Sequence, residues 1–343
     1  MTKKPTAIDL FCGAGGLSEG LRQAGFNVVG ALDIDATACE AYRLNHRRVK
    51  LWEMDVRRLS ASDAMRSLNM KTGELSLLAA CPPCQGFSTI RTKNGTKRNR
   101  DQRNELIFDV LRFARCLKPT LIMVENVPGL ARNRRFLHFR KGLASLGYNV
   151  KWTILNTADF GVPQRRRRLV LLASKLGEPE FAPLTKGHAT VRDAIGGLTT
   201  TRRSRDPLHN YPTKRSAKIE DRIRRIPKNG GSRAALGLRG QLPCHKRSDG
   251  FKDVYGRMAW DKPAPTITGG CINPSKGRFL HPHANRAITL REAALLQTFP
   301  KTYRFPLLDG RYSVAALIGN ALPPEFIRRH AAALREMAAA RNK

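Results

Sequence analysis

The chain has 343 residues, with 62 Lys and Arg against 27 Asp and Glu, a formal net charge of +35. Hydrophobic residues make up 41% and charged residues 26%, which excludes a disordered chain, and no apolar run approaches the ~20 residues of a membrane span. Such an excess of positive charge points to a polyanionic partner. The N-terminus, MTKKPTAIDLF, enters a strand-like run at once without an apolar signal segment. The seven cysteines are an odd number and read as reduced thiols. A cytoplasmic protein without membrane partners is therefore expected.

The first half alternates short apolar runs with helical patterns. Ala7–Phe11 leads into a glycine turn, Leu17–Ala24 reads as a helix, and Val28–Leu32 is a second strand ending at Asp33. The amphipathic stretch Ala36–Asn45 follows. Leu75–Ala80 and Leu121–Glu125 are buried-strand candidates separated by the helical run Asn104–Leu117, and Val150–Leu155 and Leu169–Ala173 add two more. Strands alternating with helices of about 10–15 residues predict a mostly parallel α/β sheet, which binds ligands at its C-terminal strand ends.

From about residue 186 to 286 the periodicity breaks down. This stretch holds 22 Lys and Arg against 7 Asp and Glu, so +15 falls on 101 residues and +20 on the other 242. It predicts a smaller, irregular, basic domain facing the polyanion. Helical pattern returns at Thr289–Gln297 and in a final helix with Pro324 at its start. The expected organisation is a first domain at 1–185, a basic domain at 186–286, and a segment 287–343 that returns to the first.

Two turns carry chemistry. In DLFCGAGG, Gly13, Gly15 and Gly16 follow a strand and precede a helix, and Asp33 ends the next strand. Glycines allow close backbone approach to a ligand, and the acid can bond ribose hydroxyls. Position 18 is Ser, so the diphosphate fingerprint G-x-G-x-x-G is incomplete. The turn predicts a nucleoside cofactor, of a type these residues leave open; a nicotinamide-dependent oxidoreductase shares the pattern. The second turn, Ala79-Ala80-Cys81-Pro82-Pro83-Cys84-Gln85-Gly86-Phe87-Ser88, puts Cys84 at a strand end. Cys81 and Cys84 form a C-x-x-C, readable as a redox dithiol, half of a zinc site, or a nucleophile beside a packing cysteine. Cys244, Cys271, His281 and His283 offer no well-spaced second pair for zinc, so no metal is expected.

Pro83-Cys84-Gln85 in this setting resembles the catalytic turn of the cytosine-C5 DNA methyltransferase family, in its prokaryotic type. The resemblance runs in order along almost the whole chain. DLFCGAGG resembles the family's S-adenosylmethionine loop, Glu125-Asn126-Val127 its catalytic acid turn, and Gln164–Arg168 its Q-x-R-x-R element. Arg291–Pro300 and Ile318–Pro323 resemble its two C-terminal motifs. The resemblance implies a Rossmann-like methyltransferase sheet with a target-recognition domain at 186–286. It implies methylation of cytosine C5 in a short sequence of double-stranded DNA, with the base extruded from the helix.

The chemistry accounts for the residue types. Cytosine C5 is a poor nucleophile until a thiolate adds at C6, so Cys84 is the implied nucleophile. A carboxylic acid kept protonated by burial can neutralise charge at N3, and Glu125, at a strand end, is the implied acid. Arg166 and Arg168 alternate along a strand-like run and would point to one face, towards the base, the acid or a phosphate. Arg165 and Arg167 would face solvent. Phe11, Gly13, Gly15 and Leu17 would line the methionine end of the cofactor, and Asp33 the ribose. Ile34, Asp55 and Val56 would stand by the adenine, and Asn320 and Ala321 would close the pocket. Gln85, Ser88, Arg91, Asn126, Gln164 and Thr266 are the implied DNA contacts. A monomer, and a cognate restriction endonuclease acting separately, fit the family's bacterial pattern. The alternative is the family's branch acting on tRNA, whose Cys-Phe-Thr signature is absent here.

Overall fold

The computed structural model describes residues 4–83, 102–237 and 253–340. Cys84, Gln85, Ser88 and Arg91 lie outside the described residues. By its internal contacts the chain divides into two compact units. The first comprises Met1–Phe160, Arg167–Leu184 and Leu322–Lys343; the second comprises Gly161–Arg166 and Thr185–Ala321.

The first unit is built on β1 (Thr6–Leu10), β2 (Asn27–Asp33), β3 (Lys50–Glu53), β4 (Leu77–Ala80), β5 (Leu121–Asn126), β6 (Asn149–Asn156) and β7 (Arg167–Ser174). They form one seven-stranded sheet in the order β3-β2-β1-β4-β5-β7-β6. The pairs from β3 to β5 are parallel, while β7 runs antiparallel to both β5 and β6. The sheet is thus mixed but mostly parallel, as the alternation of strands and helices predicts. All four residues of β4 and all six of β5 are buried, as expected of strands covered on both faces.

The helices of this unit are α1 (Gly16–Gln23), α2 (Ala36–Asn45), α3 (Ala61–Ser67), α4 (Ile107–Leu117), α5 (Arg134–Ser145) and a C-terminal helix, Pro324–Ala340, numbered α10 below. α1 packs closely on this C-terminal helix. A Cβ at Gly20 would stand 2.5 Å from the Pro324 carbonyl oxygen and 2.6 Å from the Ile327 Cβ, so only glycine permits this approach. Behind it, the ring of Phe160 meets those of Phe326 and His330, and the His330 Nδ1 accepts from the Ala182 N–H. These contacts return the chain end to the first unit.

The second unit holds α6 (Val191–Ile195), α7 (Ala217–Arg225), α8 (Leu290–Leu296) and α9 (Gly310–Asn320), and among its described residues extended pairing is limited to isolated bridges. Its irregularity matches the lack of periodicity in the sequence. The return expected at residue 287 comes later, at Leu322, because α8 and α9 belong to this unit. Buried Arg291, in α8, pairs with Asp206, and Gln297 at the end of α8 donates to the carbonyls of Ile318 and Ala321 at the end of α9. Asp206 ties α8 to the middle of the chain, and α8 in turn holds the end of α9. No helix among the described residues is long and apolar enough to cross a membrane.

Candidate active site

The C-terminal ends of β1, β2, β4 and β5 gather the chemistry-bearing residues of the first unit. At the end of β1 the backbone turns through Phe11 (φ 64°), Gly13 (φ 52°) and Gly15 (φ 93°) before α1 begins. An aromatic residue rarely occupies this left-handed region, so Phe11 is held there by its surroundings. The Gly13 N–H donates to the Asp33 Oδ2 at 2.7 Å, and the Asp35 N–H donates to Oδ1 at 2.9 Å. Two backbone donors thus fix the carboxylate at the end of β2. Burial nevertheless outweighs these bonds and holds the Asp33 carboxyl above its ordinary range.

Beneath this turn lies a group that the sequence does not single out. Asp9, inside β1, is fully buried; its Oδ2 accepts from the Ser18 hydroxyl at 2.7 Å, and that hydroxyl also meets the Tyr42 hydroxyl. Its Oδ1 has no hydrogen-bond partner. Desolvation dominates and raises the carboxyl from 3.8 to about 7. The folded protein therefore holds a proton that the unfolded chain releases between about pH 4 and 7. Stability from this group is full below pH 4 and is lost as pH rises through 7, by on the order of 4 kcal/mol. Asp9→Asn is expected to match the wild type in unfolding temperature at pH 4.5 and to exceed it at pH 8, read by differential scanning fluorimetry. Equal pH dependence in both proteins would contradict this.

β4 and β5 run in parallel register with Ala80 opposite Val124, so the next residues, Cys81 and Glu125, come together. The Cys81 thiol donates to the Glu125 Oε2 at 2.8 Å. Burial, and then the Glu125 carboxylate, push this thiol well above its ordinary range. Cys81 therefore acts as a donor to the acid and not as a thiolate. On the other side, the Arg168 Nε lies 2.6 Å from the Glu125 Oε1. That contact is an ion pair and not an aligned hydrogen bond, since Oε1 has no hydrogen-bond partner. The Asn126 Nδ2 donates to the Pro82 carbonyl at 2.9 Å, and its Oδ1 accepts from the Val127 N–H. Asn126 thereby ties the end of β5 to the turn that leads into Cys84.

Burial also raises the thiols of Cys12, Cys39 and Cys271, the last two to about 12. Thiols so placed are poor nucleophiles.

The remaining expected site residues fall in several places. Leu17 and Val56 are core residues, and Ile34, beside Asp33, is 67% exposed. Asp55 caps a short 3-10 turn and pairs with Arg57 at 2.5 Å, which holds its carboxyl below the ordinary range. β7 begins at Arg167, and the Arg166 guanidinium, in the second unit, is buried against the carbonyls of Ile267 and Gly319. Gln164 is likewise fully buried: its Oε1 accepts from the Ile267 N–H, and its Nε2 donates to the Gln297 Oε1. The side chains of Gln164 and Arg166 thus join distant segments of the second unit. The Thr266 hydroxyl donates to the Arg165 carbonyl. Asn320 and Ala321 end α9 and cap it in the second unit. Sequence reasoning missed Cys81 as a partner of Glu125, although the shared register of two adjacent buried strands would have paired them.

A mostly parallel sheet with a glycine turn after β1, an acid ending β2 and a polar cluster at the ends of β4 and β5 defines a Rossmann-like methyltransferase unit. The chain belongs to the C-5 cytosine-specific DNA methylase family, whose sequence model matches residues 6–336. It is accordingly a DNA cytosine-5 methyltransferase. It is 38% identical to the type II methylase M.HgiDII of Herpetosiphon aurantiacus, with 92% of this chain and 91% of that one covered. It is 32% identical to the type II methyltransferase M1.HphI of Haemophilus parahaemolyticus, with 97% and 87% covered. Its fold is shared with the crystal structure of a prophage-encoded E. coli protein assigned as a DNA modification methyltransferase. The TM-score is 0.76 at 24% identity, over 98% of this chain and 99% of the other.

Proposed function

We propose that this enzyme methylates cytosine C5 within a short specific sequence of double-stranded DNA, with S-adenosylmethionine as methyl donor and Cys84 as nucleophile. The observation that carries the reading is the placement of Glu125: buried at the end of β5, faced by Cys81 and Arg168, beside a turn that Asn126 holds two residues before Cys84.

The glycine turn suits the donor. A Cβ at Gly13 would meet nothing within 4 Å, so space is open above the turn, and the fixed Asp33 carboxylate retains lone pairs for ribose hydroxyls. The exposed Ile34 beside it offers an apolar surface to an adenine ring. When bound, the donor supplies an electrophilic methyl group. In the protein, the Cys84 thiolate adds to C6 of the extruded cytosine and turns C5 into an enamine-like carbon. Glu125 takes up a proton from solvent as the base binds and passes it to N3 as charge builds there, and Arg168 and Cys81 hold its carboxyl group in place. After methyl transfer, water takes the C5 proton as the C6–S bond breaks, which releases the Cys84 thiolate and restores the aromatic ring.

The second unit is the reader in this proposal: its positive charge holds phosphates, while a few side chains meet base edges. The names of the relatives suggest a type II restriction–modification setting, with a separate nuclease of the same specificity.

Bisulfite sequencing of plasmid from a host expressing the enzyme is expected to show protected cytosines at one recurrent short sequence, and none with Cys84→Ala. A fully converted plasmid from soluble wild-type protein would remove the proposal. Protection retained by the alanine variant would remove Cys84 from its role.

A further inference from the structure

The second unit contains a cleft of about 220 Å³ bordered by Arg202, Arg215, Arg286 and Arg311, with Tyr211 and His209 among its other walls. None of the residues lining it is an Asp or Glu. Arg286 is already answered by a bidentate pair with Glu292, at 2.7 Å through each of two nitrogens. Arg202, Arg215 and Arg311 are not: among the described residues none of them makes an ion pair with a carboxylate.

Of these, Arg215 and Arg311 are held in place all the same. The Arg311 guanidinium lies 5.0 Å from the centroid of the Tyr312 ring and 5.9 Å from that of Tyr211. Arg215 donates to the Thr213 hydroxyl at 3.2 Å. His209, buried in the wall, bonds through both ring nitrogens, to the Thr289 hydroxyl and the Thr199 carbonyl. Burial, and then the neighbouring Arg311 charge, hold the Arg215 guanidinium below its ordinary value. A solvated basic face would splay such side chains apart. Here they converge on a concavity at an electrostatic cost that an anion would offset.

We infer that the Arg215–Arg311 cleft binds a phosphate group, and that in the working enzyme this is a phosphodiester of the DNA backbone. The inference rests on the DNA reading of the second unit and deepens it by naming one contact. Planar guanidinium forks match phosphate oxygens, and two of them on one group give a geometry that lysines would not reproduce. The cleft is smaller than the ~300–1,000 Å³ typical of small-molecule pockets, which favours one phosphate of a polymer over an enclosed nucleotide.

The test uses the full-length enzyme, its single variants Arg215→Gln and Arg311→Gln, and the double variant, with binding to a duplex followed by fluorescence anisotropy from about 50 to 200 mM salt. For the double variant the slope of log affinity against log salt is expected to fall by roughly 1. Affinity should fall about tenfold at 100 mM salt, with each single variant showing part of the effect. Unfolding temperature and affinity for the methyl donor should not change; if the double variant does not fold, the single variants carry the test. In a second arm, inorganic phosphate and a mononucleotide are added to free protein and the unfolding temperature is read. Stabilisation of the wild type alone by the mononucleotide, with unchanged DNA slopes, would overturn the assignment to backbone phosphate in favour of a free nucleotide. Unchanged slopes and no such stabilisation would overturn the site altogether. Wild-type protein that leaves plasmid unmethylated sinks the DNA reading itself. Wild-type protein that methylates, beside variants with unaltered slopes, sinks only the cleft.

Discussion

Glu125→Gln is expected to lower the single-turnover rate of cytosine methylation by about 10²–10⁴-fold while leaving duplex affinity within a few-fold of wild type. The amide keeps the size of the carboxyl group and keeps an oxygen for the Cys81 thiol, which donates at 2.8 Å, so the local packing survives. What disappears is the group that can relay a proton to N3, together with its ion pair with Arg168, whose Nε lies 2.6 Å away. Because the interaction with N3 grows as charge accumulates on the ring, the loss falls on the chemical step and not on binding. Methyl incorporation into a saturating duplex measures the rate, and a mobility shift measures affinity. A rate within tenfold of wild type would leave Glu125 a merely structural acid.

How far the sequence foretells this arrangement depends on where each group finds its partners. β4 and β5 are legible because uninterrupted apolar runs belong to strands buried on both faces, and a strand-end Glu125 follows directly. α2 spans the residues that its pattern predicts, and the capping box of Thr289 and Glu292 starts α8 where the periodicity resumes. β3 escapes notice because an edge strand of four residues, KLWE, alternates too briefly to register. α5 escapes because RRFLHFRKGLAS buries only Phe136, Phe139 and Leu143 among its basic residues. Gln164 and Arg166 are the instructive pair. The family resemblance marks both as site residues, and the acceptors of Arg166 are backbone carbonyls 101 and 153 residues further along the chain. No local pattern announces a bond of that kind. The boundary at Leu322 is hidden for a similar reason, since α8 and α9 look like any returning helices until Asp206 and Gln164 bind α8, and Arg166 binds the end of α9, to the middle of the chain.

Arg257→Met is expected to destabilise the second unit by about 3–5 kcal/mol, enough to lower its unfolding temperature by roughly 10 °C. Arg257 is fully buried, and all five of its donor positions are used. Nε donates to the Ile226 carbonyl, Nη1 to those of His281 and Ala284, and Nη2 to the Ile223 carbonyl and the Asn285 Oδ1. The guanidinium sits on the last turn of α7 and the residues just beyond it, where a cation meets the negative end of the helix, and fastens that end to the 281–285 turn. The surrounding core of Ile223, Ile226, Leu236, Val254, Tyr255 and Leu280 is too small to hold these segments by apolar contact alone. Methionine would fill much of the same volume but leave buried carbonyls without donors, each at a cost of about 1–3 kcal/mol before relaxation. Arg257→Lys should recover little, because one ammonium cannot span acceptors set around a planar fork. Limited proteolysis would locate the damage, with new cleavage confined to residues 185–321 and the first unit left intact. An unfolding temperature within 2 °C of wild type for the methionine variant would show that the apolar cluster holds these segments without the buried cation.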